Sequence, residues 1–311
     1  MSFLDKIFKI ADEEEITGLT SELKSLYIYK RFKKENKSIL LITSNLHEAG
    51  KIYSSLTHHT NKVWFFPMDD FLTSEAISIS PEFKATRLET LTNLLNEEKA
   101  IVITSLMGYL RFLPTKEIFK NSYLDIEKNK EYKMENLIKR LYELGYQKES
   151  IVSATGEIAV RGFILDIFPV NSIKPIRIEF WGETIESIKS FDENTQRTNK
   201  EINKITIYPN TELLIKEDNF NIPYREIEKY IETTNIEGYL NNPLIIYDNF
   251  TNIKNNYKLL IEEIKNYNKS INLPENTKYM YNLEEKIDKE YITFEDFNSA
   301  KKIKKRVTIL N

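Results

Sequence analysis

Two groups of residues in this chain have types and spacings that could do chemistry. The first is Gly18-Leu19-Thr20-Ser21-Glu22-Leu23-Lys24-Ser25. Its first glycine, its lysine and its serine stand at the spacing of a phosphate-binding loop, where backbone amides cradle a phosphate and the lysine reaches it. The second glycine of that pattern is Leu23 here, and Glu22 puts a negative charge where phosphate would sit. A side chain at that position restricts the loop and crowds the phosphate. Such a loop also needs a strand running into it. Asp12-Glu13-Glu14-Glu15 precedes this one, so no clear apolar strand is expected. The matching acidic half would be Leu244-Ile245-Ile246-Tyr247-Asp248-Asn249, a strand ending in one acid, with Asn249 where a water-activating carboxylate would stand. An amide cannot take up a proton as a carboxylate does. These departures point to a nucleotide site that neither binds ATP well nor hydrolyses it. The same eight residues also suit an ordinary helix start capped by Thr20 or Ser21.

The second group lies in Gly156-Glu157-Ile158-Ala159-Val160-Arg161-Gly162-Phe163-Ile164-Leu165-Asp166-Ile167-Phe168-Pro169 and in Ile176-Arg177-Ile178-Glu179-Phe180-Trp181-Gly182. Side chains alternate across a strand, so Ile176, Ile178 and Phe180 share one face and Arg177, Glu179 and Trp181 the other. The first set reads as core and the second as exposed. Arg161, on the neighbouring segment, can reach the same outer face. Two arginines and a tryptophan on one face match the composition of a protein–protein hot spot. Arginine offers a bidentate fork to a carboxylate, and tryptophan offers a large rigid apolar area. A solvated outer face with Arg177 or Arg161 paired to Glu179 fits the same alternation.

Elements of both kinds must position these groups. Ile39–Thr43, Val63–Phe66 and Ile101–Thr104 are short continuous apolar runs, the pattern of strands buried on both faces of a parallel sheet. Ser80-Pro81-Glu82 starts a helix with a cap, a first-turn proline and an acid. Phe83, Leu88, Leu91, Leu94 and Leu95 then fall near one side of it. From about 122 to 208 the signal changes to a helix around Met134–Leu144. β-rich segments follow at Ile158–Phe168, Pro175–Trp181 and Thr184–Phe191, with turns at Asn171-Ser172 and Gly182-Glu183. Mixed α/β signals return with a strand at Leu244–Asp248, a helix around Tyr257–Tyr267 and a strand at Val307–Leu310. The expected organisation is an α/β domain made of residues 1–121 and 209–311, with an α+β antiparallel-sheet insert at 122–208.

Composition narrows the function. The 311 residues carry 44 Lys+Arg against 47 Asp+Glu, a net charge of -3, which excludes a globally basic nucleic-acid binder. The absence of cysteine excludes disulfides, thiolate metal sites and thiol catalysis. Three histidines leave little for a His-based metal site, and adjacent His58 and His59 point apart in any regular element. Asp69-Asp70 and Glu13-Glu14-Glu15 lack the alternation of a calcium loop. No apolar run approaches the roughly 20 residues of a membrane helix, and the start lacks a signal-peptide pattern. A cytoplasmic protein is expected. The basic run Lys301-Lys302-Ile303-Lys304-Lys305-Arg306 suits a solvated face and, less often, a phosphate contact.

The segment Gly156–Pro169, with Ile176–Gly182 and Phe191–Thr198, closely resembles the UvrB-type interaction domain of bacterial nucleotide excision repair. Phe66-Pro67, Ser80-Pro81-Glu82, Leu113-Pro114, Phe191-Asp192 and Gln196-Arg197 favour the transcription-repair coupling factors over UvrB itself. The resemblance implies a discontinuous RecA/helicase-like, UvrB-like parallel-sheet domain, with a degenerate nucleotide site, an inserted UvrA-interaction domain and no cofactor. It implies a non-enzymatic recruiting module for UvrA in transcription-coupled repair. The ATP-dependent DNA translocase and the parts that bind RNA polymerase and DNA would lie in a remainder of the factor beyond this portion. The family's UvrA-contacting positions carry over to Arg161, Arg177 and Trp181. Trp181 departs from the usual phenylalanine, and Ala159 stands where UvrB has a further arginine. UvrB's DNA-clamping hairpin has no obvious counterpart, so no damage-verifying grip on DNA is expected. Two rival readings remain: an ATP-binding helicase-like repair enzyme that tolerates Leu23 and Asn249, and a DNA-binding module using the terminal basic run.

Overall fold

The continuous apolar runs do form a parallel sheet. The computed structural model describes residues 15–71, 80–214, 223–287 and 290–296. The chain divides into two units, one made of Met1–Phe112 with Thr234–Asn311 and the other of Leu113–Thr233. The expected boundaries lay at 121 and 208. Residues 113–121, 209–214 and 223–233 fall instead with the second unit, where Asn210 bonds to the backbone of Leu144 and Gly145 and Thr115 to Glu232.

The first unit opens with β1 (Glu15–Thr17), α1 (Ser21–Lys34), β2 (Ile39–Thr43), α2 (Leu46–Thr57), β3 (Val63–Phe66), α3 (Pro81–Asn96), β4 (Ile101–Ser105) and α4 (Leu106–Leu110). The second unit contributes β5 (Leu113–Pro114), α5 (Lys116–Lys120), β6 (Leu124–Glu127), α6 (Met134–Glu143), β7 (Gln147–Lys148), β8 (Glu157–Arg161), β9 (Ile164–Ile167), β10 (Ile176–Trp181), β11 (Thr184–Phe191), β12 (Thr198–Glu201) and β13 (Lys204–Ile207). After β14 (Thr233–Thr234), the first unit resumes with β15 (Leu244–Asp248), α7 (Phe250–Ser270) and β16 (Tyr291–Glu295).

The first unit's sheet runs β1-β16-β15-β2-β4-β3, parallel throughout. Ile39, Leu41, Ile101, Ile103 and Ile246 face a core built with Tyr27, Ile28 and Phe32 of α1 and Ile52 and Leu56 of α2. The alternate residues Leu40, Ile42, Val102, Ile245 and Tyr247 are equally buried on the other face. Burial on both faces is why these strands read as unbroken apolar runs. In α3, Ser80 Oγ accepts from the Phe83 amide at 3.4 Å, Pro81 opens the helix, and Leu88, Leu91 and Leu94 are fully buried. Buried Arg87 on the same helix donates to the Pro67 carbonyl at 3.1 Å.

Two short strands, β1 at the sheet edge and β16 beside it, correct the sequence reading. β1 does run into the Gly18 loop, although acids precede it, because one buried residue, Ile16, suffices to seat a three-residue strand beside β16. β16 itself is short, and only its centre, Ile292–Phe294, is buried. The basic run at 301–306 and the expected strand at 307–310 lie outside the described residues.

The second unit carries a six-stranded sheet in the order β12-β11-β10-β9-β8-β7, antiparallel except for the β7–β8 pair. The segment read as one β-rich run, Ile158–Phe168, is a hairpin: Gly162, at φ +59°, turns the chain between β8 and β9. Gly182, at φ +62°, does the same between β10 and β11. Positive φ costs glycine little, so it suits the first turn position. β13 pairs with β6 as a separate ribbon.

Candidate docking face and the phosphate-like loop

Strand register assembles the outer face of the antiparallel sheet in rows. Ala159, Asp166, Arg177 and Lys189 lie directly across from one another on β8, β9, β10 and β11. The next row holds Arg161, Ile164, Glu179 and Ser187, and Trp181 stands opposite Thr184 one row further out. β10 alternates as the sequence predicts: Ile176, Ile178 and Phe180 are buried, Arg177 and Glu179 half-buried, and Trp181 exposed.

The centre of the face is an acid. Asp166 is fully buried and accepts from Arg177 Nε at 2.8 Å and Nη2 at 2.9 Å, a fork-to-fork pair. It also accepts from Arg161 Nη2 at 2.5 Å. Arg177 is further fixed by Nη1 donating to the Gln196 carbonyl at 3.3 Å and by the Phe191 ring 4.6 Å beneath its guanidinium. Hydrogen bonding to Asp166 raises the Arg177 guanidinium above its ordinary value. Gln196 sits at φ +60°; its side-chain amide donates to the Glu193 carbonyl at 2.8 Å within the 192–197 turn, and the Arg177 guanidinium, donating to the Gln196 carbonyl and Oε1, ties that turn to β10. Val152, Ala159, Phe168 and Phe191 form a small core that closes this end of the face.

The three sequence-selected residues therefore differ. Arg177 keeps 13% of its side chain exposed, Arg161 44% and Trp181 79%. Neither arginine pairs with Glu179. That carboxylate accepts from Lys189 Nζ at 2.8 Å and Ser187 Oγ at 2.5 Å, which lower its pKa. The sequence reading missed Asp166 and Gln196. The available signal was an acid inside the apolar run Ile164–Phe168, on the same alternation as Arg177 once the strands are paired.

The loop at Gly18 holds a different arrangement. α1 begins at Ser21 with Thr20 as its cap, so Leu23 and Lys24 are already helical. Thr20 Oγ1 accepts from the Leu23 amide at 3.4 Å, and the Thr20 carbonyl accepts from the Lys24 amide at 2.9 Å. Hydrogen bonds from its own amide and from Thr20 hold the Glu22 carboxyl below its ordinary pKa, so the first helical turn carries its own anion. Leu23 packs against the core, and the Ser25 hydroxyl, fully buried, donates to the Ser21 carbonyl at 3.1 Å. Lys24 Nζ lies 2.6 Å from Asp248 Oδ1 at the end of β15. Burial raises the Asp248 pKa despite that lysine. Asn249, at φ +62°, caps α7 by accepting from the Asn252 amide at 3.0 Å and donates to Asp296 at 2.8 Å.

The family described as UvrB interaction domain matches residues 124–213. The transcription-repair-coupling factor of Bacillus subtilis (strain 168) is 34% identical over 217 residues, 69% of this chain and 18% of that protein. The factor of Staphylococcus epidermidis (strain ATCC 12228) is 31% identical over 233 residues, 74% of this chain and 20% of its own length. That of Staphylococcus aureus (strain MRSA252) is 31% identical over 221 residues, 70% of this chain and 19% of its own. The chain thus spans about a fifth of the length of these relatives. On these matches the chain is related to the transcription-repair-coupling factors and corresponds to their N-terminal UvrB-like region, with a UvrB interaction domain at residues 124–213.

Proposed function

We propose that this chain is a recruiting module that presents the outer face of its antiparallel sheet to UvrA in transcription-coupled nucleotide excision repair. The observation that carries the reading is the Arg161–Asp166–Arg177 cluster beside exposed Trp181, inside the segment that matches the UvrB interaction domain. Arg161 and Trp181 make the contact: one offers a guanidinium with nitrogens left over from Asp166, the other a rigid apolar surface. Arg177 acts mainly by holding Asp166 and the 192–197 turn in place. RNA polymerase and DNA engage other parts of a full-length factor.

The module works without ATP. The Leu23 and Lys24 amides are bonded to Thr20, the Glu22 carboxylate adds a negative charge bonded to its own amide, and Lys24 is paired to Asp248. Asn249 offers an amide, which cannot take a proton from water, and its side chain caps α7.

Calorimetric titration of the chain into UvrA tests the reading. Wild type binds, and Arg161→Ala and Trp181→Ala each lose on the order of 2 kcal/mol while melting as wild type does. A folded wild type that gives no binding isotherm refutes it.

A further inference from the structure

The two hairpin turns of the docking sheet lie at the same end. β8 and β10 both run antiparallel to β9, so the β8–β9 turn at Gly162-Phe163 and the β10–β11 turn at Gly182-Glu183 are neighbours. The Phe163 carbonyl accepts from the Phe180 amide at 2.9 Å, which ties the first turn to the strand that ends in Trp181. Adjacent strands stand about 4.8 Å apart, so residues 163 and 181 are within reach of one partner surface. Both side chains are open to solvent, Phe163 at 68% and Trp181 at 79%. The turns are not crowded by the rest of the chain: a Cβ added at Gly162 or at Gly182 would meet nothing within 4 Å.

Charge distinguishes this end further. One buried carboxylate, Asp166, faces two guanidiniums, and Glu179 is already matched by Lys189. The Arg161–Asp166–Arg177 group by itself keeps one positive charge in excess, which emerges at Arg161, the more exposed of the two arginines, while Glu183 in the second turn is an exposed acid at the same end. An aromatic pair beside a single surplus cation fits an apolar cleft bordered by a carboxylate.

We infer that Phe163 is a further anchor of this face, entering an apolar cleft of the partner whose rim carboxylate meets Arg161. The inference rests on the UvrA reading above and extends it to a residue that reading does not need. Ile173 serves as the comparison, because it is 94% exposed and lies in the β9–β10 connection at the opposite end of the sheet. Phe163→Ala, Phe163→Asp and Ile173→Ala are titrated into UvrA beside wild type, with thermal melts to establish folding. Phe163→Ala weakens binding about tenfold or more, Phe163→Asp weakens it further by facing the rim carboxylate, and Ile173→Ala leaves it unchanged. Wild-type binding with Phe163→Ala within twofold of it overturns the inference and leaves the UvrA reading intact. So does an Ile173→Ala loss as large as that of Phe163→Ala. Absence of wild-type binding removes both.

Discussion

Replacing Asp166 by Asn isolates what holds the docking face in shape. The carboxylate is wholly buried and accepts three hydrogen bonds from two guanidiniums. Removing one partner of a buried ion pair costs about 3–5 kcal/mol, because it leaves a charge without compensation. Two features place this case near the lower end. The Asn carbonyl keeps one acceptor, and Arg161, 44% exposed, can return to water. Arg177 cannot, since only 13% of its side chain is exposed; it retains the Gln196 carbonyl and the Phe191 ring. The expected loss is about 3 kcal/mol. For a unit of this size, 1 kcal/mol shifts Tm by about 4 °C, so scanning calorimetry should show a drop of about 12 °C in the transition of the second unit. Amide exchange should quicken in β8–β10 while the parallel sheet is unaffected. The double substitution Asp166→Leu with Arg177→Leu removes both charges and should be less destabilised than Asp166→Asn. A drop below about 3 °C for Asp166→Asn would falsify the argument, because it would mean that Arg177 tolerates losing its carboxylate.

Other outcomes follow from the same geometry. Arg161→Ala should change stability by under about 1 kcal/mol, since its pair is half-exposed, yet remove most UvrA binding; a chemical melt beside a titration separates the two. Burial raises the Asp248 pKa in the folded chain, so the folded state binds the extra proton above the unfolded value of 3.8. Stability from this group therefore falls as pH rises through the folded pKa, and Asp248→Asn should flatten that slope in urea titrations run from pH 4 to 7. Gly108→Ala should destabilise the first unit by about 1–3 kcal/mol, because the new Cβ would come within 2.2 Å of Thr104 Oγ1 and 3.0 Å of the Phe66 carbonyl. Titration with Mg-ATP should give no saturable heat, and Lys24→Ala should leave that result unchanged.

Legibility in the sequence followed burial. β2, β3, β4 and β15 announced themselves because both their faces are covered or nearly so, and α3 because cap, proline and apolar spacing agree. β1 and β16 were hidden, since a strand of three to five residues at or next to the sheet edge needs only one to three buried residues. The face of β10 could be assigned from alternation alone. The partner of its arginine could not, because Asp166 meets Arg177 only through the β9–β10 register, and the connection between those strands, residues 168–175, is too long to fix that register from its Asn171-Ser172 turn alone. Exposure was equally invisible: Arg161 and Arg177 look equivalent in sequence, and a ring and a turn bury only one of them. In the Gly18 loop, the sequence showed the missing glycine and offered Thr20 as a helix cap, but not that Glu22 bonds to its own amide and to Thr20.

The open space around the two hairpin turns separates two kinds of constraint on this sheet. Asp166, Arg177 and Phe191 are bound to each other and cannot drift singly without weakening the fold. The side chains at 163 and 181 touch little of their own chain, so exchanging them leaves the fold almost untouched. Such tips can be retuned to a changing partner surface, one residue at a time, on a scaffold that stays fixed.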